Sequence, residues 1–153
     1  MTASSAVLEQ AALSYEQAPE MPTEEAMPAE WAQSTFNMAL VIQSIGQLED
    51  DTGMLKQALG SFKQAVNLMP RDSENDYWAA AMSSVGTILY QLGTHRRGSR
   101  TLEQAMVAFR NALSERSLEQ NKIAWAITQN NIAATLQAMG EHEEDIGSLE
   151  ASI

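Results

Sequence analysis

Two histidines are the residues of this chain whose type and spacing first suggest chemistry. His95 and His142 are 47 residues apart, and the run "EHEED" at residues 141–145 places carboxylates beside the second. Imidazole and carboxylate groups can together bind a divalent cation, but the sequence favours the alternative that both histidines are solvated on loops. Neither histidine has a serine and an acid at a recognisable spacing, which nucleophilic catalysis would need. We therefore expect no catalytic residue, no metal site and no cofactor.

The composition narrows the remaining functions. The chain has no cysteine, which excludes disulfides, thiolate metal ligands and cysteine nucleophiles. Its 20 acidic and 9 basic side chains give a net charge of −11, which disfavours binding to nucleic acid or to an anionic membrane. The N-terminus lacks the pattern of a signal peptide, and no apolar run is long enough to span a bilayer. A cytoplasmic protein that is not an enzyme is the expectation.

One loop gathers positive charge in this acidic chain. The run "HRRGSR" contains Arg96, Arg97 and Arg100, three of the nine basic residues. An acidic or phosphorylated partner could bind there through charge-assisted hydrogen bonds. The sequence favours the alternative that these arginines offset the neighbouring glutamates.

A repeat of 47 residues organises nearly the whole chain. The three tryptophans, Trp31, Trp78 and Trp125, are each separated by 47 residues. The same offset links four further sets of residues: Gly46, Gly93 and Gly140; Leu8, Leu55, Leu102 and Leu149; Tyr15, Phe62 and Phe109; and Ala39, Gly86 and Ala133. Self-similarity at such a period is typical of solenoids, in which each unit buries its apolar face against the next.

Each repeat contains two amphipathic helical segments. In the second copy Trp78, Ala81 and Val85 recur at helical spacing, and Gly93 is predicted to end that helix because glycine tolerates a positive φ. The predicted helices and the segment after them are 6–18, 29–45, 54–68, 76–92, 100–115, 123–139 and 145–153. The proline-rich stretch 19–28 falls between helices in this register. We therefore predict a single domain, 1–153, with a second helix of a partial repeat at 6–18 and repeats at about 29–68, 76–115 and 123–153, the last truncated.

Read from the middle of its first helix, each unit resembles the tetratricopeptide repeat. The matching residues of the second copy are the small Gly86, the large Leu89, Gly93, and then Ala105, Phe109 and Ala112. The unit is longer than the usual 34 residues, and it is most similar to the extended repeats of bacterial proteins and kinesin light chains. The resemblance covers about residues 6–153. It implies an all-α fold, a right-handed α-α superhelix of helix-turn-helix repeats.

Those extended repeats often carry an Asn-Asn-Leu-Gly or Asn-Asn-Leu-Ala pattern in the first helix. Asn130 and Asn131 match it, Asn37 is kept in the first copy, and Ser83 and Ser84 replace the pair in the second. In the family these helices line a concave groove, where an amide can bond a peptide backbone as donor and acceptor. The resemblance implies a groove lined by Gln33, Asn37, Gln43, Ser84, Thr87, Gln91, Asn131 and Gln137. The alternative is a solvated polar face without a ligand.

The absence of lysine and arginine from 29–45 and 76–92 argues against a clamp for a peptide carboxylate. We expect a non-enzymatic interaction scaffold that binds a protein or peptide partner in the groove. Two alternatives stay open. One is a structural self-assembly module, in which terminal half-repeats of different molecules complete one another in a homo-oligomer. The other is the repeat fragment of a larger regulatory or enzymatic protein.

Overall fold

The computed structural model describes residues 3–17, 28–71, 76–96, 98–116 and 119–152. These residues form helices and no strand, which confirms the all-α prediction. The helices are α1 (Ala3–Gln17), α2 (Pro28–Leu48), α3 (Thr52–Leu68), α4 (Tyr77–Thr94), α5 (Arg100–Ser114) and α6 (Lys122–Ala151). The chain divides into two compact units, Met1–Arg71 and Asp72–Ile153. The last residue of the helix predicted at 6–18 and most of the proline-rich stretch 19–28 lie outside the described residues.

The first unit packs α1 and α3 against α2. Phe36 of α2 and Phe62 of α3 meet edge to face, with ring centroids 5.7 Å apart, which is a favourable aromatic geometry. The remaining core of α2 and α3 is aliphatic and consists of Ala32, Ala39, Ile42, Ile45, Leu55, Ala58 and Ala65. Ala39, Leu55 and Phe62 of this core belong to the sets of residues that recur every 47 positions.

The turn between α2 and α3 is not made by Gly46, which lies within α2. Asp50 holds the left-handed conformation at φ 51°, and the amide of Asp51 donates to the carbonyl of Gly46 over 2.9 Å, as in a Schellman motif. The side chain of Asp51 then caps α3 by accepting from the amides of Gly53 and Met54. Gly46 is needed for a different reason, because a Cβ there would lie 3.1 Å from Leu55 Cδ2.

The second unit repeats this close contact. In α4 a Cβ at Gly93 would lie 2.7 Å from Leu102 Cδ2, and one at Gly86 would lie 2.6 Å from Phe109 Cε1. Gly93 does not have a positive φ, and among the described glycines Gly98 alone does. The predicted role of Gly93 in ending the helix is therefore wrong. The glycines of α4 instead let the backbone approach the leucine and the aromatic ring of α5.

The third copy departs from the predicted pattern. α6 runs through Gly140 without a break to Ala151, so the helix end predicted at 139 and the separate segment predicted at 145–153 are wrong. Nothing lies within 4 Å of a Cβ placed on Gly140, so no second helix packs there to hold a turn. Continuing a helix adds one hydrogen bond per residue at low cost, and the glutamates after Gly140 favour it.

Replacing Gly86 with alanine tests the close contact in α4. Alanine normally stabilises a helix interior by about 0.5–1 kcal/mol relative to glycine. Here the new methyl group meets the buried ring of Phe109. We expect Gly86→Ala to lower the free energy of unfolding by about 1–3 kcal/mol, measured by urea denaturation. Gly60→Ala in α3, where nothing lies within 4 Å, is the control and should raise that free energy.

Candidate functional site

A buried arginine fixes α6 within the second unit. Arg116 follows α5, and its guanidinium donates to both carboxylate oxygens of Asp76, over 2.7 and 2.8 Å. The arginine side chain is 7% exposed and that of Asp76 is 45% exposed. This two-bond geometry is stronger and more directional than a single contact. Asp76 precedes α4 and makes no side-chain cap, so its carboxylate holds the end of α5 to the start of α4.

The same guanidinium reaches the hydroxyls that join α4 to α6. Arg116 Nη1 donates to Ser83 Oγ over 3.0 Å and to Thr128 Oγ1 over 3.4 Å. Thr128 in turn donates to the carbonyl of Ala124 over 2.8 Å, which uses its one hydroxyl hydrogen. The fully buried Thr128 is thereby paired on both sides. We call Arg116, Asp76, Ser83 and Thr128 the Arg116 cluster.

The first unit holds three of the predicted groove residues. Gln33 is exposed and Asn37 is half-buried on α2, but Gln43 is buried, at 8% exposure. At about 100° per residue, Gln43 lies roughly 120° around the helix from Asn37. Gln43 therefore does not share their face and cannot line an open groove, which corrects its assignment.

The second unit holds the other five. Ser84, Thr87 and Gln91 are half-buried on α4, and the Thr87 hydroxyl donates to the Ser83 carbonyl within its own helix. On α6, Asn131 is half-buried, and Gln137 is exposed with its amide bonded to Glu141. Gln137 lies about 120° around the helix from Asn131. The structure thus places Ser84, Thr87 and Gln91 together on α4, with Asn131 on α6, and sets Gln137 apart.

Two exposed isoleucines on α6 are not among the groove residues predicted from the sequence. Ile123 and Ile127 are 74% and 56% exposed, and with the exposed Asn130 they follow the i, i+4, i+7 spacing of one helix face. We call these three residues the Ile127 face. Ile127 occupies the repeat position of Gln33 and Ala80. Its repeat position therefore predicts that Ile127 lies on the same side of its helix as Gln33 does, whereas polarity does not select it.

The histidines lie in different settings. His95 is exposed in the connection after α4, but His142 is half-buried within α6 and not on a loop. His142 Nδ1 donates to the Gly98 carbonyl over 3.0 Å, because a carbonyl oxygen can only accept. A cavity of about 560 Å³ lies between this connection and α6, and Ile146 and Leu149 are among its lining residues. No group of three or more metal-ligating side chains occurs within the described ranges.

The basic loop is described in part. Arg100 is exposed, and Arg96 Nη1 lies 3.4 Å from Thr101 Oγ1, whereas Arg97 is outside the described residues. None of the helices in the ranges that the structure covers is long and apolar enough to cross a membrane.

Comparison of the chain with protein-family models, with curated proteins and with solved structures finds no match in any of the three. The likeness to tetratricopeptide repeats therefore depends on the repeat residues alone.

A double-mutant cycle tests the Arg116 cluster. Arg116→Met and Asp76→Asn should each lower the free energy of unfolding, since each leaves the other without its partner. Because Asp76 is partly solvated, we expect a coupling energy of about 1–2 kcal/mol between them, measured by urea denaturation. Arg110→Met, an exposed position on α5, is the control and should change stability by less than about 0.5 kcal/mol. Additive effects of the two substitutions would contradict the coupling.

Proposed function

We propose that this chain is a non-enzymatic scaffold that binds a peptide or a helix of a partner protein. The binding surface consists of the Ile127 face of α6 together with the polar side chains Ser84, Thr87 and Gln91 of α4 and Asn131 of α6. Support comes from the combination of exposed apolar side chains and amide or hydroxyl groups on helices that pack against each other.

The exposure of Ile123 and Ile127 is the observation that carries this proposal. Neighbouring exposed aliphatic side chains beside Asn130 form an apolar patch with a polar rim. Such patches are typical of protein interaction sites, where a few desolvated anchors supply most of the affinity. Asn130 and Asn131 add amides that can bond a peptide backbone.

The charges of the second unit define the partner's chemistry. α4 contains no charged residue, and Lys122 is the one basic residue of α6. The chain as a whole carries −11. A ligand with apolar side chains and basic flanks is therefore attracted, whereas an acidic peptide is repelled.

The proposed scaffold includes a specific arrangement of the repeats. Each helix pair is one helix-turn-helix repeat of a right-handed superhelix, and on α2 Gln33 and Asn37 occupy the repeat positions of Ile127 and Asn131. The helix pairs α2–α3 and α4–α5 support this arrangement, since Gly46 and Gly93 contact leucines at equivalent repeat positions.

Peptide selection tests the proposed surface. Peptides are selected from a random display library against the wild-type chain, and their affinity is measured by fluorescence anisotropy. We expect Ile127→Asp to weaken binding about tenfold or more, because it places a charge among the apolar contacts. Asn131→Ala should weaken binding less, by the loss of one or two hydrogen bonds.

Leu136→Asp is the matched control, since it adds the same charge to another exposed apolar position of α6. It should leave peptide affinity unchanged. Circular dichroism confirms that each variant is folded. The proposal fails if no peptide is enriched, or if the selected peptides bind Ile127→Asp and wild type equally well.

A further inference from the structure

A second apolar surface lies on the opposite side of α6 from Ile127. Leu136, nine residues on, is about 180° away around the helix and is 52% exposed. Near it on the same side lie the half-buried Trp125 and Ile132 and the exposed Ala133 and Gly140. We call Trp125, Ile132, Ala133, Leu136 and Gly140 the open face of α6.

The equivalent positions of α4 are covered within the chain. They are Trp78, Val85, Gly86, Leu89 and Gly93, and all of them are buried. Leu89, the counterpart of Leu136, is 7% exposed. The covering helix is α5, because Phe109 would meet a Cβ on Gly86 and Leu102 one on Gly93. In the first unit α3 covers α2 in the same way, through Leu55 against Gly46.

The helices that cover these faces share one pattern. A leucine is followed after three residues by alanine, after seven by phenylalanine and after ten by alanine. The residues are Leu55, Ala58, Phe62 and Ala65 in α3, and Leu102, Ala105, Phe109 and Ala112 in α5. All eight are almost completely buried. A helix that covers the open face of α6 should carry the same pattern.

α1 carries this pattern in the same register. Leu8, Ala11 and Tyr15 stand 47 residues before Leu55, Ala58 and Phe62. Although α1 packs against α2, Leu8 and Ala11 stay half-buried, whereas their counterparts in α3 and α5 are buried. α1 therefore exposes part of the apolar surface that α3 and α5 bury against the first helices of their repeats.

We propose that α1 of a second copy of this chain covers the open face of α6, as α5 covers α4. Leu8 of one molecule then packs on Gly140 of the other. The two contacting surfaces differ, so the contact is head-to-tail and extends into a ring or a filament. This interface is independent of the Ile127 face.

The charges of the two helices oppose this contact at low salt. α1 carries Glu9 and Glu16 without a basic residue, and α6 carries a net negative charge. Screening shortens the range of this repulsion. Assembly should therefore strengthen when the ionic strength is raised from about 10 to about 150 mM.

Disulfide trapping tests the predicted register, since the chain has no native cysteine. Leu8→Cys and Gly140→Cys are made in separate molecules, mixed and oxidised. We expect a mixed disulfide dimer, because a Cβ at the equivalent Gly93 lies 2.9 Å from Leu102 Cγ. Val7→Cys, exposed and one residue away, is the control and should react with Gly140→Cys at least about tenfold less. Equal yields for the two cysteines would overturn the proposed register.

Sedimentation across a hundredfold dilution tests the assembly itself. Wild type should change mass with concentration, and Leu136→Asp should weaken association about tenfold or more. Ile127→Asp, the matched control, should assemble like wild type, so failure of peptide binding and failure of assembly are told apart. A wild-type chain that stays monomeric, or one whose association survives Leu136→Asp, would overturn the proposal.

Gly140→Ala provides an independent test that does not depend on an added charge. With open space around Gly140, the substitution should stabilise α6 in the monomer and yet weaken association several-fold, as the methyl group meets the incoming Leu8. Gly60→Ala, the control, should stabilise its helix without changing association. Unchanged association of Gly140→Ala would contradict the packing that we propose.

Discussion

The fold depends on how closely a first helix can approach the second helix of its repeat. Gly46 and Gly93 lie directly against Leu55 and Leu102, and the ring of Phe109 fills the space where Gly86 has no side chain. A methyl group at any of these positions would force the helices apart or move a buried side chain, and well-packed interiors tolerate neither cheaply. The residues that recur every 47 positions are therefore set by this contact.

This dependence explains which parts of the fold the sequence could predict. The recurring glycines, leucines and phenylalanines meet across the interface between the two helices of a repeat, so their spacing indicates helix pairs. Residue type alone does not predict that α6 continues through Gly140. Gly46 lies against Leu55, whereas Gly140 has no such neighbour. The Arg116 cluster has no repeat counterpart, because Met69 occupies the position of Arg116 in the first copy.

The residues predicted for the groove divide according to their repeat positions. Asn37, Ser84 and Asn131 occupy one repeat position, each on the first helix of its own repeat. Gln43 and Gln137 share the polarity of the other predicted residues, but helical geometry places Gln43 about 120° around α2 from Asn37 and Gln137 about 120° around α6 from Asn131. Ile127 shares the repeat position of Gln33 but has an apolar side chain, so polarity alone does not predict that it belongs to the groove.

α6 has three sides with different surroundings. One side is fixed to α4 and α5 by the Arg116 cluster, with Thr128 buried at its centre. The sides that flank Thr128 carry Ile127 and Leu136, whose directions differ by about 180° around the helix axis. In α4 the side corresponding to Leu136 is already covered by α5. α6 is therefore the one described first helix whose face for a second helix is still open, and the surfaces proposed for peptide binding and for assembly lie on its opposite sides.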